Sequence, residues 1–332
     1  MKMVKYMCLV LLVLLLLTPR PGQAAKESAE EEKAEAAAGI VDEGRGQGFR
    51  EEGEVGTKGV ECPATFGPII TDTAVPIDKG HFAIQPTFGY GFVVNSLTPN
   101  WRRETAGGNF QSFGMTWKLT YGPMENLETF LEIPFQYNWA WKVNEPGPNG
   151  NTSANAGGLA DLNLVFKYRL VEETEKLPTV TALFGTSFPT GKFKSLNPVN
   201  LGQDAIGGGA FVFTTGLNLS KCYNPFVVYG NFWYSMQTAF TDDTARFYPR
   251  DYVTVNLAAE YVITQKWIAL LEFTSFWEGG RLFGHQANVS PAALTSVIPG
   301  IEYMATDKFA LALGCQVDLF GKNIDAAVTQ LF

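Results

Sequence analysis

The sequence predicts an all-β fold, a transmembrane antiparallel up-and-down β-barrel of about twelve strands. From Gly80 onward, apolar and polar residues alternate with a period of two, which is the pattern of strands with two unlike faces. Short and long connections alternate between these strands, and aromatic residues gather at the strand ends. Short turns on one side, long loops on the other and two aromatic girdles are typical of barrels that cross an outer membrane. An even number of strands would place both chain ends in the periplasm.

The first 25 residues predict a secretory signal peptide. Lys2 and Lys5 precede an apolar run over residues 7–17, and the small-residue site Gly22-Gln-Ala24 follows it. A basic start, a short apolar stretch and small residues before the cut are the parts of such a signal. The run is shorter than the roughly 20 apolar residues that a membrane-spanning helix needs. The chain is therefore expected to be exported, with the outer membrane as its destination.

Residues 26–75 are predicted to form an acidic N-terminal segment in the periplasm. Residues 26–38 are rich in Ala and Glu and could form a short helix, whereas residues 39–59 are rich in Gly and Glu and lack strand periodicity. A segment with this composition is expected to be disordered. A plug for the barrel, or a helix that docks a partner, is the alternative for residues 26–60.

Residues 76–332 form the predicted barrel. The period-two segments lie near residues 82–92, 113–121, 127–142, 161–169, 179–187, 210–219, 226–235, 252–262, 267–277, 295–304, 309–318 and 324–332. The predicted short connections are residues 122–126, 171–178, 220–224, 263–266 and 305–308. The predicted long ones are residues 95–111, 144–158, 189–209, 236–251 and 278–292, and residues 320–323 are expected to form a tight last outer hairpin.

Aromatic spacing agrees with a membrane-spanning height. Trp267 and Trp277 lie ten residues apart on the same face of one predicted strand. At about 3.3 Å per residue and a tilt near 45°, they span roughly 23 Å, close to the apolar band of about 25 Å in such barrels. Phe332 ends the last strand as a terminal aromatic residue, which outer-membrane assembly commonly reads.

Two stretches resemble a known family. They are Pro68-Ile-Ile-Thr-Asp-Thr-Ala74 followed by Lys79-Gly-His-Phe82, and Gly158-Leu-Ala-Asp-Leu-Asn-Leu-Val-Phe-Lys-Tyr-Arg169 followed by Phe188-Pro-Thr-Gly191. They are similar to the outer-membrane barrel family named for the MetA pathway of phenol degradation. The resemblance extends over residues 62–332 and implies a transporter-like channel, in some cases linked to uptake of hydrophobic or aromatic compounds.

The sequence offers little for catalysis or for a metal or cofactor. Its two histidines, His81 and His285, fall at a strand start and in a long loop, and nothing places a serine beside either one. A Ser-His-acid arrangement needs three groups within hydrogen-bond reach, and two isolated histidines are a poor metal site. Gly207-Gly-Gly209 lacks the Lys-Ser/Thr of a phosphate loop. We therefore expect no enzyme activity, no cofactor and no metal.

The charged residues on the polar face of the strands are the candidate site residues. A charge that faces lipid at mid-membrane costs about 2–4 kcal/mol for Lys or Arg, so these side chains are expected to point into the lumen. They could form a charge network that fills and stiffens the barrel, or a selectivity lining for a small solute. The lumen-lining candidates are Lys118, Glu128, Glu132, Asp161, Lys167, Arg169, Glu260, Glu272 and Glu302.

The cysteines allow a disulfide but do not specify one. After removal of the signal peptide, Cys62, Cys222 and Cys315 remain. Cys62 and Cys222 are both expected on the periplasmic side, where disulfides can form, so a bridge between them is one hypothesis. Cys315 shares a predicted face with leucines and is interpreted as a small residue that faces lipid.

Composition limits the partners. Charged residues make up 17% of the chain and aromatic residues 13%. Without Lys2, Lys5 and Arg20 of the signal peptide, 22 basic and 33 acidic residues remain, an acidic balance that argues against nucleic acid. The expected partners are outer-membrane lipid and a small-molecule solute passed into the periplasm. The alternative is a structural barrel that holds another exported protein through residues 26–60; a membrane-bound hydrolase and a soluble β protein are disfavoured.

Overall fold

The structure is a computed structural model that describes the backbone of residues 63–331 and the side chains of residues 63–324. The predicted signal peptide, residues 26–62 and Phe332 lie outside this range. The described strands are β1 (Phe82–Leu97), β2 (Arg103–Thr105), β3 (Asn109–Met124), β4 (Leu127–Trp141), β5 (Ala154–Leu159), β6 (Leu162–Val171), β7 (Thr179–Phe188), β8 (Val212–Tyr223), β9 (Phe226–Gln237), β10 (Phe240–Thr241), β11 (Arg246–Phe247), β12 (Tyr252–Val262), β13 (Trp267–Glu278), β14 (Ala293–Thr306), β15 (Phe309–Lys322) and β16 (Ile324–Leu331). Two short 3₁₀ turns, Pro148–Gly150 and Pro198–Asn200, lie in the connections.

The main sheet is antiparallel and closes on itself. Each strand pairs with its neighbour along the chain, and β16 returns to pair with β1 through Tyr90↔Leu331 and Val93↔Val328. β5 and β6 follow each other along β4 and so share one position in the ring. β2 only extends the edge of β1, and β10 pairs with β11 in a separate ribbon. The ring therefore has twelve positions, and the predicted barrel of about twelve strands is confirmed.

The rhythm of the connections is confirmed as well. β3 and β4 are joined by residues 125–126, β12 and β13 by residues 263–266, and β14 and β15 by residues 307–308. The long connections lie at the opposite end of the barrel. The tight last outer hairpin is reduced to one residue, Asn323, whose φ of 51° is left-handed, a conformation that asparagine tolerates better than most residues.

The two faces of the sheet differ as the alternation predicts. On β6, Phe166 and Tyr168 are 43% and 51% exposed, whereas Lys167 between them is fully buried. On β13, Trp267 and Trp277 are both exposed and share the outer face, as expected. A closed sheet with an apolar outer surface and polar groups inside satisfies every ladder hydrogen bond without an exposed edge, which is what a bilayer demands. No helix in the part of the chain that the structure describes is long and apolar enough to cross a membrane.

The end of the predicted periplasmic segment lies elsewhere than expected. Residues 63–79, which we call the inner segment, form no regular element, yet their backbone is hydrogen-bonded to side chains of the barrel strands. The predicted disorder is therefore wrong for residues 63–75. The composition of this stretch could not predict its order, because its hydrogen-bond partners are inward side chains of strands that are distant in the sequence. The fate of residues 26–62 lies outside the described range.

Candidate functional site

The inner segment crosses the interior from β14 to β4. Two inward carboxylates hold its first half. Glu302 of β14 accepts hydrogen bonds from Thr65 Oγ1 and from the Phe66 amide, each at 3.1 Å. Glu272 of β13 accepts the amides of three consecutive residues, Ile69 at 2.7 Å, Ile70 at 3.1 Å and Thr71 at 2.7 Å. These acids are held by donated N–H groups of the chain itself.

Apolar packing supports the same half of the inner segment. Ile69 packs against an inward cluster of Ile268, Leu270 and Met304. A Cβ atom on Gly314 of β15 would overlap the side chain of Ile69, at 2.5 Å from its Cδ1. Glycine at this position therefore lets the inner segment approach the wall closely.

Asp72 is the electrostatic centre of the inner segment. Its carboxylate lies 3.3 Å from Lys118 Nζ and 3.1 Å from Lys167 Nζ, and it accepts a 2.8 Å hydrogen bond from Asn218 Nδ2. Asn231 holds the Asp72 backbone on both sides, since it accepts from the amide at 2.9 Å and donates to the carbonyl at 2.8 Å. One residue of the inner segment thus joins strands β3, β6, β8 and β9.

Lys167 and Glu128 continue this network. Lys167 is fully buried, lies 2.8 Å from Glu128 Oε1 and donates to the Thr73 carbonyl at 3.0 Å. The other Glu128 oxygen accepts the Ile77 amide at 2.8 Å. A buried charge is tolerated when it is paired and its remaining donors are satisfied, which this arrangement achieves.

The inner segment leaves the interior beside the turn between β3 and β4. The Ala74 amide donates to Ser220 Oγ at 2.8 Å, and Thr181 Oγ1 donates to the Ala74 carbonyl. The Gly80 amide then donates to the Gly122 carbonyl at 2.7 Å. A Cβ atom on Gly122 would collide with the carbonyls of Ile77 and Asp78, so the crossing point requires glycine.

Of the nine predicted lumen-lining residues, five meet the inner segment directly, namely Lys118, Glu128, Lys167, Glu272 and Glu302. Glu132 lies near them and accepts a 3.2 Å hydrogen bond from Asn163 Nδ2. Glu260 is fully buried and accepts a 2.8 Å hydrogen bond from Tyr229 Oη. The alternation predicted these charges because each lies on the polar face of a strand whose other face is largely apolar.

The two remaining candidates form hydrogen bonds with the connections at the ends of the barrel. Asp161 accepts the amides of Gly191 at 2.9 Å and Gly208 at 2.8 Å, so it fastens the outer connection between β7 and β8. Arg169 donates through Nε and Nη2 to Asn126 Oδ1, at 3.0 and 2.8 Å, in the turn between β3 and β4. Alternation along a strand predicts which face of the sheet a residue lies on, but not its height along the barrel axis. For this reason Asp161 and Arg169 were predicted to line the lumen with the others.

Three important residues were missed by the sequence analysis. Asp72 belongs to a stretch without strand periodicity, and Asn218 and Asn231 carry no charge to draw attention. The one available signal is that both asparagines interrupt apolar strands at inward positions, where an uncompensated amide would be costly.

The cysteine hypotheses are wrong. Cys222 remains a thiol, whereas Cys315 is buried and disulfide-bonded. Cys315 is therefore not simply a small residue facing lipid, and the Cys62–Cys222 bridge does not form. Cysteine positions in a sequence do not determine connectivity, so the residues alone could not decide between the pairings.

The two histidines lie far apart. His81 directly precedes β1, and His285 lies in the outer connection between β13 and β14, where its ring is 4.9 Å from that of Tyr248. Among the residues described here, no group of three His, Cys, Asp or Glu side chains is arranged to hold a metal ion.

Beyond the inner segment, the inner face of β1, β3 and β4 borders two cavities. One of about 150 Å³ lies against Val93, Phe110 and Asn138, and one of about 250 Å³ lies against Thr87, Thr116 and Gln136. They share Gly91 and Ser112. The interior thus has a filled part, occupied by the inner segment, and an open part on its outer side.

Comparison with solved structures places the fold. The chain is similar to an outer-membrane channel from Pseudomonas putida F1, with a TM-score of 0.59 and 16% identity over 80% of this chain and 98% of that chain. The translocator domain of the autotransporter NalP from Neisseria meningitidis gives a TM-score of 0.40 at 12% identity, over 93% of this chain and 95% of that one. CymD, a monoaromatic hydrocarbon channel, gives 0.35 at 11% identity, over 76% and 87%.

No curated protein matches the chain. The family model described as Putative MetA-pathway of phenol degradation, by contrast, matches residues 115–324, from β3 to the first residue of β16. This range covers more than half of the chain and most of the barrel, and it includes the second of the two stretches that carried the resemblance. Together with the closed sheet and its apolar outer surface, it places the protein in the outer membrane. The chain belongs to the Putative MetA-pathway of phenol degradation family.

Proposed function

We propose that the protein is a channel that passes small solutes, hydrophobic or aromatic ones among them, through the outer membrane into the periplasm. The observation that supports this most is the pair of cavities inside the closed barrel, on the outer side of the inner segment. A barrel built only as a scaffold has no need for such internal space. The partners in this proposal are outer-membrane lipid around the barrel and a small molecule within it, with no catalytic step.

In this proposal the inner segment is the constriction. A solute enters between the outer loops, occupies the cavities and then meets residues 69–74, whose amides are held by Glu272 and Ser220. These are hydrogen bonds of single backbone groups, each worth about 0.5–1.5 kcal/mol net, or somewhat more when the acceptor is a carboxylate. A segment held by separate bonds of this size can shift locally while the barrel wall stays intact.

Planar-bilayer recording tests the proposal. The purified mature protein is expected to give discrete conductance steps, and an aromatic solute such as benzyl alcohol, added on the loop side, is expected to reduce the current. A variant that lacks residues 26–60 is the control, because it keeps Cys62 and the inner segment and removes the stretch through which a partner protein would dock. Equal currents with and without residues 26–60 support a channel. No current under any condition would refute the proposal and favour the scaffold that holds another exported protein.

A further inference from the structure

The two cavities form one chamber on the inner face of β1, β3 and β4. Gly91 pairs with Ser112, and Ser112 pairs with Asn138, so the smaller cavity lies over one row of the sheet. The next rows toward the periplasm, Gly89–Gly114–Gln136 and Thr87–Thr116–Pro134, carry the larger cavity. The row after that contains Lys118, which contacts Asp72 of the inner segment. The chamber therefore lies directly on the loop side of the inner segment.

The chamber is lined by uncharged groups. Hydroxyls come from Thr87, Ser112 and Thr116, and amides come from Gln136 and Asn138. The amides form a row, since Gln136 Nε2 donates to Asn138 Oδ1 at 2.8 Å and Asn138 Nδ2 donates to the carbonyl of Gln203 in an outer connection at 3.2 Å. Hydroxyl and amide groups both donate and accept, so they can exchange these bonds for bonds to a neutral polar group.

Charge is absent from this lining but present two residues further along the same strands. None of the residues that border the two cavities is Lys, Arg, Asp or Glu, whereas Lys118 and Glu132 form the neighbouring row. An ion placed in the chamber would lose water without gaining an opposite charge, and burying an unpaired charge is costly. The lining therefore favours a neutral occupant over either ion.

Glycine gives the chamber its width. At Gly114 a Cβ atom would meet only the Phe135 carbonyl, at 3.9 Å, so the space above this residue is open toward the interior. With volumes of about 150 and about 250 Å³, the two adjoining cavities together fall in the lower part of the roughly 300–1,000 Å³ range of ligand pockets. Phe110 and Val93 add an apolar wall at the loop end. The smaller cavity alone has the volume, about 150 Å³, at which an engineered protein cavity binds benzene, so the chamber has room for a molecule built on a single ring.

We propose that this chamber is a binding site for a small uncharged solute, about the size of one ring, that carries a hydroxyl or amide group. The proposal rests on the proposed function, because it names the solute class that the channel would hold before passage. The hydroxyl or amide of the solute bonds to the Gln136–Asn138 row, and its ring lies over the glycines of β1 and β3.

Gly114→Phe tests the site by filling it. The open space above Gly114 lets the new ring enter the chamber without a clash at Cβ. Met115→Phe is the matched control, because it adds the same ring to the adjacent residue on the opposite face of β3. Ser112→Leu is a second filling variant, and the heat-dependent gel mobility of each detergent-purified barrel reports whether it has folded.

Binding is read by saturation-transfer NMR on the ligand, with benzyl alcohol, benzoate and benzylammonium as probes. Subtracting the signal of the filled variant removes the contribution of probe that associates only with detergent. We expect the benzyl alcohol signal to fall at least fivefold in Gly114→Phe and in Ser112→Leu and to stay within twofold of wild type in Met115→Phe. The two ions are expected to give the same weak signal in all variants.

Two results would overturn the proposal: equal benzyl alcohol signals in wild type and in both filled variants, or an ion that binds as strongly as the alcohol and is lost with it. The readout does not need current through the barrel. A protein that binds benzyl alcohol but gives no conductance would contradict the channel and leave the chamber in place, whereas a conducting protein without this binding would contradict the chamber alone.

Discussion

The inner faces of β3 and β4 change character along their length. Toward the periplasm they carry Lys118, Glu128 and Glu132, and this part is filled by the inner segment. Toward the loops they carry Gly114 and Gln136, and this part borders open cavities. The same two strands, with the same alternation, thus build a packed half and an open half.

Charge inside a barrel can have two roles, to fill and stiffen the barrel or to select a solute. Charges in the packed half are bonded to the chain itself, as in the pairing of Lys167 with Asp72 and Glu128. This agrees with the structural alternative, in which a charge network fills the barrel, and leaves selection of the solute to the uncharged half. In the proposed channel, the filled half would control passage and the open half would control which solute is held.

The largest effect is expected from Asp72→Asn, which breaks the packed half at its centre. Asparagine keeps the shape but cannot neutralise Lys118 and Lys167, and leaving buried charges underpaired is strongly destabilising. Because Lys167 retains Glu128, we expect a loss of about 2 kcal/mol in the hold on the inner segment, below the 3–5 kcal/mol of a fully broken pair. Bilayer conductance should rise at least threefold, and the amide hydrogens of residues 69–74 should exchange with solvent faster.

Asp78→Asn is the control for this prediction. Asp78 lies in the same segment and loses the same charge, but its side chain is exposed. Its conductance should equal that of wild type. If Asp72→Asn left both the conductance and the amide exchange unchanged, the inner segment would not be the constriction, and the contrast between the two halves would lose its functional meaning.

The barrel itself could be predicted because every strand repeats one physical rule. Lipid outside and a polar interior force period-two alternation, and Phe166, Lys167 and Tyr168 show it within three residues. The inward direction of Glu272 and Glu302 followed from the same rule. Closure and strand number followed because the short and long connections alternate along the whole sequence.

The packed half could not be predicted, because its partners are remote in sequence. Asp72 meets Lys167 across 95 residues and Asn218 across 146, and nothing near Asp72 resembles a strand or a cap. The position of a residue along a strand was equally hidden. Asp161 directly precedes β6 and Lys167 lies within it, yet Asp161 fastens an outer loop and Lys167 contacts Asp72 at the centre of the inner segment.

A smaller and more local effect is expected from Asp161→Asn, which perturbs the open end and spares the packed half. The variant weakens two charge-assisted hydrogen bonds, to the amides of Gly191 and Gly208. A loss of about 1 kcal/mol would raise the opened fraction of this loop about fivefold. Trypsin cleavage after Lys192 and Lys194 of the folded barrel should increase accordingly.

Exchange of the amides in the inner segment should not change in Asp161→Asn, because Asp161 makes its described bonds only with the outer connection. Asp242→Asn is the matched control, since Asp242 accepts from Thr244 and Ala245 in its own turn. Faster exchange at residues 69–74 in Asp161→Asn would show that the two halves are coupled, and the division between them would have to be abandoned.

The smallest effect concerns pH and the same outer connection. Burial alone would raise the pKa of Asp204, but hydrogen bonds from Lys192 Nζ at 2.7 Å and the Asn197 amide at 2.9 Å outweigh it and hold the pKa below its usual value. A lowered pKa in the folded loop means that the carboxylate stabilises the loop above its ordinary pKa, near 4, and that this contribution is lost as the pH falls further. Lys192 is 45% exposed, so the effect is modest.

A spin label at Leu196→Cys, in the same connection, measures this loss. Its mobility should be constant from pH 7 to pH 5 and should increase below about pH 4. In an Asp204→Asn background the mobility should be higher at pH 7 and should show no such step. A step in mobility that persisted without Asp204 would assign the titration to another carboxylate of the outer loops.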